Sequence, residues 1–316
     1  MTTEHVKAAA PFFERIGDPL SLKHRVLRWL DLNLAIVFNL PTVGFLVALI
    51  AFPVGLVLWT SLTDWQLVTN QSPQFIGLTN YVRMWTEERW LNGIFNTFYF
   101  AACTVLGQLI LGMATALLFN RQFAAKAFYR SIWMMPMISM SVAISLVWAI
   151  LFNNTYGLLN YVLTGMGLPG IEWVTSPQWV MPSLIIVGIW QHTPFMTLLL
   201  LAGLQSLPTD PFEAARIDGA SKWQVLVNVT LPLMQGHIMV ALILRSIFAM
   251  KEFDTIMAIT EGGPNYASET MNMNIYFNAF EYGYMGASSA KGVLFFTAIL
   301  LIQLVLVKLR RRQWSY

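Results

Sequence analysis

Six stretches of this 316-residue chain are apolar over a length that can cross a lipid bilayer, which takes about 20 mostly apolar residues. They are Leu34–Leu62, Gly93–Phe119, Ile132–Phe152, Val180–Leu204, Ile238–Ile259 and Ala287–Val307. Within a bilayer every backbone N–H and C=O must find its partner inside the protein, so a chain of this pattern has few solutions. The expected fold is an all-α polytopic membrane protein with six transmembrane helices. Composition agrees, with 56% hydrophobic and 11% charged residues where soluble domains carry roughly 25% charged. Pro41 and Pro53 interrupt the first run and predict kinks or a late helix start.

Basic residues in the connections set the expected orientation. Arg121, Lys126 and Arg130 stand between the second and third runs without an acid, and Lys308, Arg310, Arg311 and Arg312 follow the last. The connection after the third run has only Glu172, and that after the fifth has Glu261, Glu269 and Glu281. The basic connections are expected inside and the acidic ones outside, which puts the N and C termini in the cytoplasm. The expected organisation is a cytoplasmic tail at 1–31 that lacks the features of a cleaved signal peptide, a six-helix domain at 32–308 with a cytoplasmic loop at 206–235, and a basic tail at 309–316. In the first outer loop, Thr63–Asn92, an interfacial helix anchored by Trp65, Trp85 and Trp90 is expected, compatible with a docking surface. The second, Asn153–Pro177, reads as turns with some short helix.

The segment Glu213–Pro232 is polar and lies between two long apolar runs. Asp210 is placed to cap a helix, Pro211 suits its first position, and Glu213 falls where a capping-box carboxylate reaches back. Gly219 is expected to break that helix. Ser221 and Gln224 repeat the cap-and-box spacing and start a second helix that ends near Pro232. Ala214, Ala215 and Ala220 leave a surface that another protein can approach closely. A solvated hairpin in which Glu213 only caps its own helix is the plainer alternative.

Catalytic signatures are missing. The single Cys103 and four scattered histidines offer no disulfide framework or metal site, and no Gly-rich Lys-Ser/Thr loop is present to bind ATP. The basic residues sit at span ends and form no groove for nucleic acid. Ionisable groups inside an apolar run are the exceptions, because a charge at the bilayer centre costs at least about 2.5 kcal/mol. Arg245, Phe248 and Glu252 follow helical spacing and are expected on one face of the fifth run. Two readings stand: Arg245 pairs with Glu252 or with another span as structural glue, with Lys251 and Asp254 near the outer interface, or the face lines a polar path with Phe248 as a stacking platform. In the fourth run Trp190, Gln191, His192 and Phe195 flank Pro194, which predicts a locally opened helix and adds a second group of site candidates.

Glu213-Ala-Ala-Arg-Ile-Asp-Gly-Ala220, followed by Leu231-Pro232, resembles the EAA loop of binding-protein-dependent ABC importer permeases. Phe75–Tyr81, Pro194-Phe195, Leu204–Pro208 and Thr260–Pro264 make the chain similar to the maltose-transporter type of carbohydrate importer over about residues 35–310. The resemblance implies the type I ABC importer permease fold in a bacterial-type inner membrane. It implies that Glu213, Ala214, Ala215, Asp218, Gly219, Ala220, Leu231 and Pro232 couple to a cytosolic ATPase, present as two copies that bind the ATP and Mg. A second permease subunit in a heterodimer and an extracytoplasmic sugar-binding protein complete the implied assembly. The family's sugar site, carried over by spacing from the loop, falls near Gln191, His192, Phe195, Arg245, Phe248, Ala249 and Glu252. Ala249 and Glu252 stand where the maltose-type site has asparagines, which argues against maltose, and Arg245 and Glu252 point to an anionic or otherwise differently decorated sugar. The leading expectation is a permease subunit of an ATP-driven importer of a sugar, sugar derivative or polyol, with no ATPase site of its own. An ion-coupled secondary transporter and a purely structural scaffold are the alternatives.

Overall fold

The computed structural model describes residue 29 and residues 33–69 and 72–313, so most of the expected tail at 1–31 lies outside the described residues. Among those described, the β pairing amounts to one antiparallel bridge between Thr63 and Phe75, and the architecture is helical. The chain divides into two units, Met1–Val57 and Leu58–Tyr316. Helix α1, Leu34–Ser61, begins in the first and ends in the second, and it runs through both Pro41 and Pro53 without the expected late start.

The second unit continues with α2 (Thr79–Arg83), α3 (Glu88–Asn120), α4 (Lys126–Ile138), α5 (Ser141–Leu151), α6 (Leu158–Gly165) and α7 (Val180–Gln205). Then come α8 (Asp210–Ile217), α9 (Lys222–Val225), α10 (Leu231–Met250), α11 (Asp254–Thr260), α12 (Met271–Tyr276) and α13 (Met285–Gln313). Among the described residues, five helices are long and apolar enough to span a membrane, and a sixth span is reached when a bent pair is counted as one.

That bent pair corrects the expected third run. Ile132–Phe152 is not one helix: α4 and α5 meet at 93°. Pro136 sits inside α4, and Ser139 and Met140 adopt extended backbone (ψ 150° and 127°), so the helical bond pattern stops there. The expected fifth run, Ile238–Ile259, is also cut differently. Residues Lys222–Met250 form one 29-residue apolar helical stretch that ends at Lys251, ahead of the separate α11. Pro232 therefore does not terminate the loop's second helix. Its ring cannot donate a backbone bond and crowds the preceding turn, and the chain accommodates it with a π-helical turn at Leu226–Thr230 before α10.

The core of the second unit is built on α3 packed against α7, its most extensive helix pair. One apolar cluster gathers Trp90, Met196, Leu200 and Met234, and another gathers Phe100, Leu184, Ile256 and Phe277. Small residues allow the close approach. A Cβ on Gly112 would stand 2.7 Å from Met196 Cγ, and one on Gly188 would stand 3.0 Å from Thr104 and 3.2 Å from Phe100. Such seams suit helices that associate by packing and not by escape from water.

Trp90 corrects the aromatic-belt expectation: it is fully buried, whereas Trp85 is exposed. The connection 153–177 contains the short α6 and is organised by Asn160. The Asn160 amide donates to the carbonyls of Asn154 and Ile171, and its Oδ1 accepts from the Ile171 amide and the Trp173 indole.

Gly112→Val is expected to lower the stability of the detergent-solubilised protein by about 1–3 kcal/mol through overpacking of the α3–α7 seam. Gly165→Val, where an added Cβ meets nothing within 4 Å, is expected to stay within about 0.5 kcal/mol. Equal thermal midpoints for the two variants would remove the case for that seam.

Candidate functional site

The 210–232 segment is a helix, an elbow and a second helix. Thr209, not Asp210, occupies the cap position of α8, with helical backbone and no side-chain cap bond; Asp210 is the first helical residue. Pro211 stands in the first turn as expected. The Glu213 carboxylate does not form the expected box; its backbone amide donates to the Thr209 carbonyl at 3.1 Å. Gly219 adopts φ +72°, the left-handed conformation that stops α8 without steric cost for glycine. Ser221 and Gln224 then form both halves of a capping box: Gln224 N donates to Ser221 Oγ at 3.3 Å and Ser221 N donates to Gln224 Oε1 at 2.8 Å.

Glu213, Ala214 and Asp218 are exposed with Gly219, Ala220 and Leu231 are half-buried, Pro232 is exposed, and Ala215 packs inward. Two large apolar side chains on the same element are uncovered, Ile217 at 87% and Trp223 at 71%. Beside them Glu213, Phe212 and Arg216 line a groove of about 400 Å³ against Leu117 and Asn120 at the end of α3.

The second group of candidates lies where α7 and α10 meet. α7 is helical throughout Val180–Gln205, so the expected opening at Pro194 does not occur; the proline only removes one donor from an otherwise continuous helix. Trp190 is 44% exposed and meets Trp148 edge-on, with centroids 5.6 Å apart. Gln191 is buried, donates to Ser141 Oγ at 3.1 Å, and has an Oε1 with no partner. His192 Nε2 lies 3.7 Å from Glu252 Oε2, an ion pair when the imidazole is protonated. Phe195 and Phe248 pack edge-to-face at 6.5 Å, and Ala249 is buried.

Of the two glue partners expected for Arg245, the structure has the one on another span, Gln108 of α3, and not Glu252. Because α10 ends at Met250, Glu252 has left the helical face that spacing alone assigns to it. Its Oε1 accepts from the Thr255 hydroxyl at 2.7 Å, while Arg245 Nε donates to Gln108 Oε1 at 2.8 Å. Gln108 also donates to the Gly188 carbonyl at 2.9 Å, so one amide on α3 joins α7 and α10. Sequence reasoning passed over Gln108; a glutamine midway along an apolar run was the available signal.

It also missed a charged cluster at the other end of α3 from that groove. Glu269, fully buried, receives a bidentate bond from Arg89, with Nη2 to Oε2 at 2.6 Å, and another from Asn274 Nδ2 at 2.6 Å. Lys291 on α13, 1% exposed, donates to Glu87 at 2.5 Å and to Asn274 Oδ1 at 3.0 Å, with its ammonium 5.4 Å from the Trp90 ring centroid. The lysine within the sixth apolar run was the visible trace.

A family model described as binding-protein-dependent transport system inner membrane component matches residues 108–314. The chain is 34% identical over 285 residues to the trehalose/maltose transport system permease protein MalF of Thermococcus litoralis, covering 90% of this chain and 96% of that one. It is also 34% identical to the sulfoquinovosyl glycerol transport system permease protein SmoG of Agrobacterium fabrum, over 91% and 94% of the two chains. Among solved structures, a chain of a bacterial alginate ABC transporter in complex with an alginate pentasaccharide-bound periplasmic protein superposes with a TM-score of 0.79 at 22% identity, over 92% of this chain and 99% of that one. This likeness shows the fold.

Glu269→Gln is expected to destabilise the protein by about 3 kcal/mol, the low end for breaking a buried pair, since Arg89 keeps some solvent contact. An unchanged thermal midpoint would show that the cluster does not hold the bundle.

Proposed function

Since the chain belongs to the family of binding-protein-dependent transport system inner membrane components, we propose that it is one permease subunit of an ATP-driven sugar importer that works by alternating access. The observation that carries this reading is the 210–232 element. A glycine elbow and a complete capping box join the short α8 to the start of the long Lys222–Met250 stretch, yet Ile217 and Trp223 are left uncovered beside an exposed Glu213. Large apolar side chains presented on a stiff polar support are a surface for another protein. In this reading the other protein is a cytosolic ATPase, present as two copies, which bind ATP and Mg and supply the energy; this chain carries no such site.

The remaining parts follow from the same reading. The bent pair α4–α5 counts as one span, giving six, with both termini in the cytoplasm. A second permease subunit faces the α7–α10 surface and completes the pathway, and an extracytoplasmic binding protein delivers the solute. Sugar is the class of cargo because relatives covering nearly the whole chain are named for trehalose, maltose and sulfoquinovosyl glycerol transport. Trp190, Gln191, His192, Phe195, Arg245, Phe248, Ala249 and Glu252 are this subunit's contribution to the path. Phe248, 55% exposed, offers a ring on which a sugar's C–H face can stack.

Glu213→Ala tests the coupling role. Its side chain is exposed and forms no cap, so the fold loses nothing with it. In the complete transporter reconstituted in liposomes, the variant is expected to keep its thermal midpoint while sugar uptake falls by at least about tenfold, the effect of losing one charge-assisted contact in the coupling groove. Wild-type uptake by this variant, or purification of the native protein without an ATPase, would count against the proposal.

A further inference from the structure

Among the described residues of the second unit, Arg89, Lys291 and Arg245 sit between packed helices, and the fold treats them differently. Arg89 has Glu269 at 2.6 Å, and Lys291 has Glu87 at 2.5 Å. Arg245, only 3% exposed, has no carboxylate of the described residues within ion-pair reach. Its Nε donates to the neutral Gln108, and its Nη2 is buried without a partner. Glu252, the acid that helical spacing offers, is turned to Thr255 and His192.

An ionised group at bilayer depth is costly, and residues of this kind mark solute or ion paths. A buried donor without an acceptor adds a further cost of about 1–3 kcal/mol, more for a charged group. A hydrophobic side chain of similar volume would join α10 to its neighbours without either cost. Among the described residues no carboxylate touches Arg245 as one touches each of the other two cations, and Glu252 acts on it only from beyond ion-pair distance, which suits a group that arrives from outside the chain.

Resting on the reading of this chain as a sugar permease, we infer that Arg245 selects an anionic substituent on the carried sugar, a carboxylate or a sulfonate. The geometry gives each neighbour a part. Gln108, itself held by Gly188, fixes one edge of the guanidinium through Nε and leaves Nη2 to donate to an anionic oxygen. Phe248, one helical turn on and edge-to-face with Phe195, takes the apolar face of the sugar ring. Thr255 and His192 hold the Glu252 carboxylate beyond ion-pair distance, so it attracts the guanidinium without occupying its Nη2. Nη2 is enclosed in this conformation, and the anion reaches it when the α7–α10 seam parts during the transport cycle.

The test uses the complete importer in liposomes, with its binding protein, and reads sugar-stimulated ATP hydrolysis. The probes are trehalose, a glucuronate-containing disaccharide, and glucose sulfonated at its primary carbon. At least one acidic probe is expected to stimulate the wild-type importer. Arg245→Gln is expected to lower that stimulation by at least about tenfold, the weight of one charge-assisted hydrogen bond, while trehalose stimulation, where present, falls less and Arg245→Lys retains most of the acidic response. Gln108→Glu, which gives the fork a carboxylate of its own at the loss of the bond to Gly188, is expected to suppress the acidic response while the complex still assembles and its basal ATP hydrolysis persists.

The inference is overturned if no acidic probe stimulates the wild type, if Arg245→Gln lowers neutral and acidic responses equally, or if Gln108→Glu leaves the acidic response intact. It is also overturned if Arg245→Gln detaches the second permease, because the counter-charge then belongs to that subunit. Absence of any associated ATPase would strike the transport reading itself, whereas these outcomes are read in an assembled, ATP-hydrolysing complex.

Discussion

The amide of Gln108 is the joint on which the middle of the bundle depends. It has no exposed surface, and each end of it is engaged: the nitrogen donates to Gly188 on α7 and the oxygen accepts from Arg245 on α10. Only a side chain with both a donor and an acceptor can tie a carbonyl on one helix to a cation on another. The close seam between α3 and α7 makes this bond possible, because a side chain at position 188 would push Phe100 and Thr104 away. Packing and polar chemistry are therefore one design here: glycine brings the helices together, and glutamine fixes which groups meet.

The far end of α3 uses a different device. There the polar groups alternate in sign along Arg89, Glu269, Asn274, Lys291 and Glu87, so each buried charge has an opposite charge or a neutral dipole beside it. The arrangement gathers the connection before α3, the start of α3, the loop ahead of α12, and α13. Tyr266 and Tyr282 place their rings 4.0 and 5.4 Å from the Arg89 guanidinium carbon, so cation–π attraction adds to the ion pair. This end holds its charges in pairs, while in the middle of the bundle Arg245 has no carboxylate of the described residues in contact.

What could be read from the sequence was local. Val180 as the start of a span, the glycine elbow at 219, and the Ser221–Gln224 box all rest on bonds within a few residues, and the structure has each where spacing puts it. Long-range partners were not legible. Glu269 lies 180 residues from Arg89, and Glu87 lies 204 from Lys291, and no periodicity connects them. Of the two partners open to Arg245, another span was realised through Gln108 and Glu252 was not, for a related reason. Spacing of seven means one face only while a helix continues, and α10 stops at Met250, where the Thr255 hydroxyl becomes the nearer partner for the acid. The bend at Ser139–Met140 was hidden because an apolar run reads the same whether it is straight or folded at a right angle. In α7 the proline signal overstated its effect, since neighbouring turns keep the helix intact around one missing donor.

The π turn at Leu226–Thr230 spares the chain a hinge. Proline at 232 would ordinarily separate α9 from α10, but the widened turn lets 29 residues from Lys222 to Met250 run as one rod. At 1.5 Å per residue that rod is about 43 Å long. Its ends answer to each other as the ends of a crowbar do: a tilt of about 5° pivoting at the Trp223 end sweeps the Arg245 end through roughly 3 Å, about the span of one hydrogen bond. A flexible joint at the proline would absorb such a tilt before it reached the middle of the bundle.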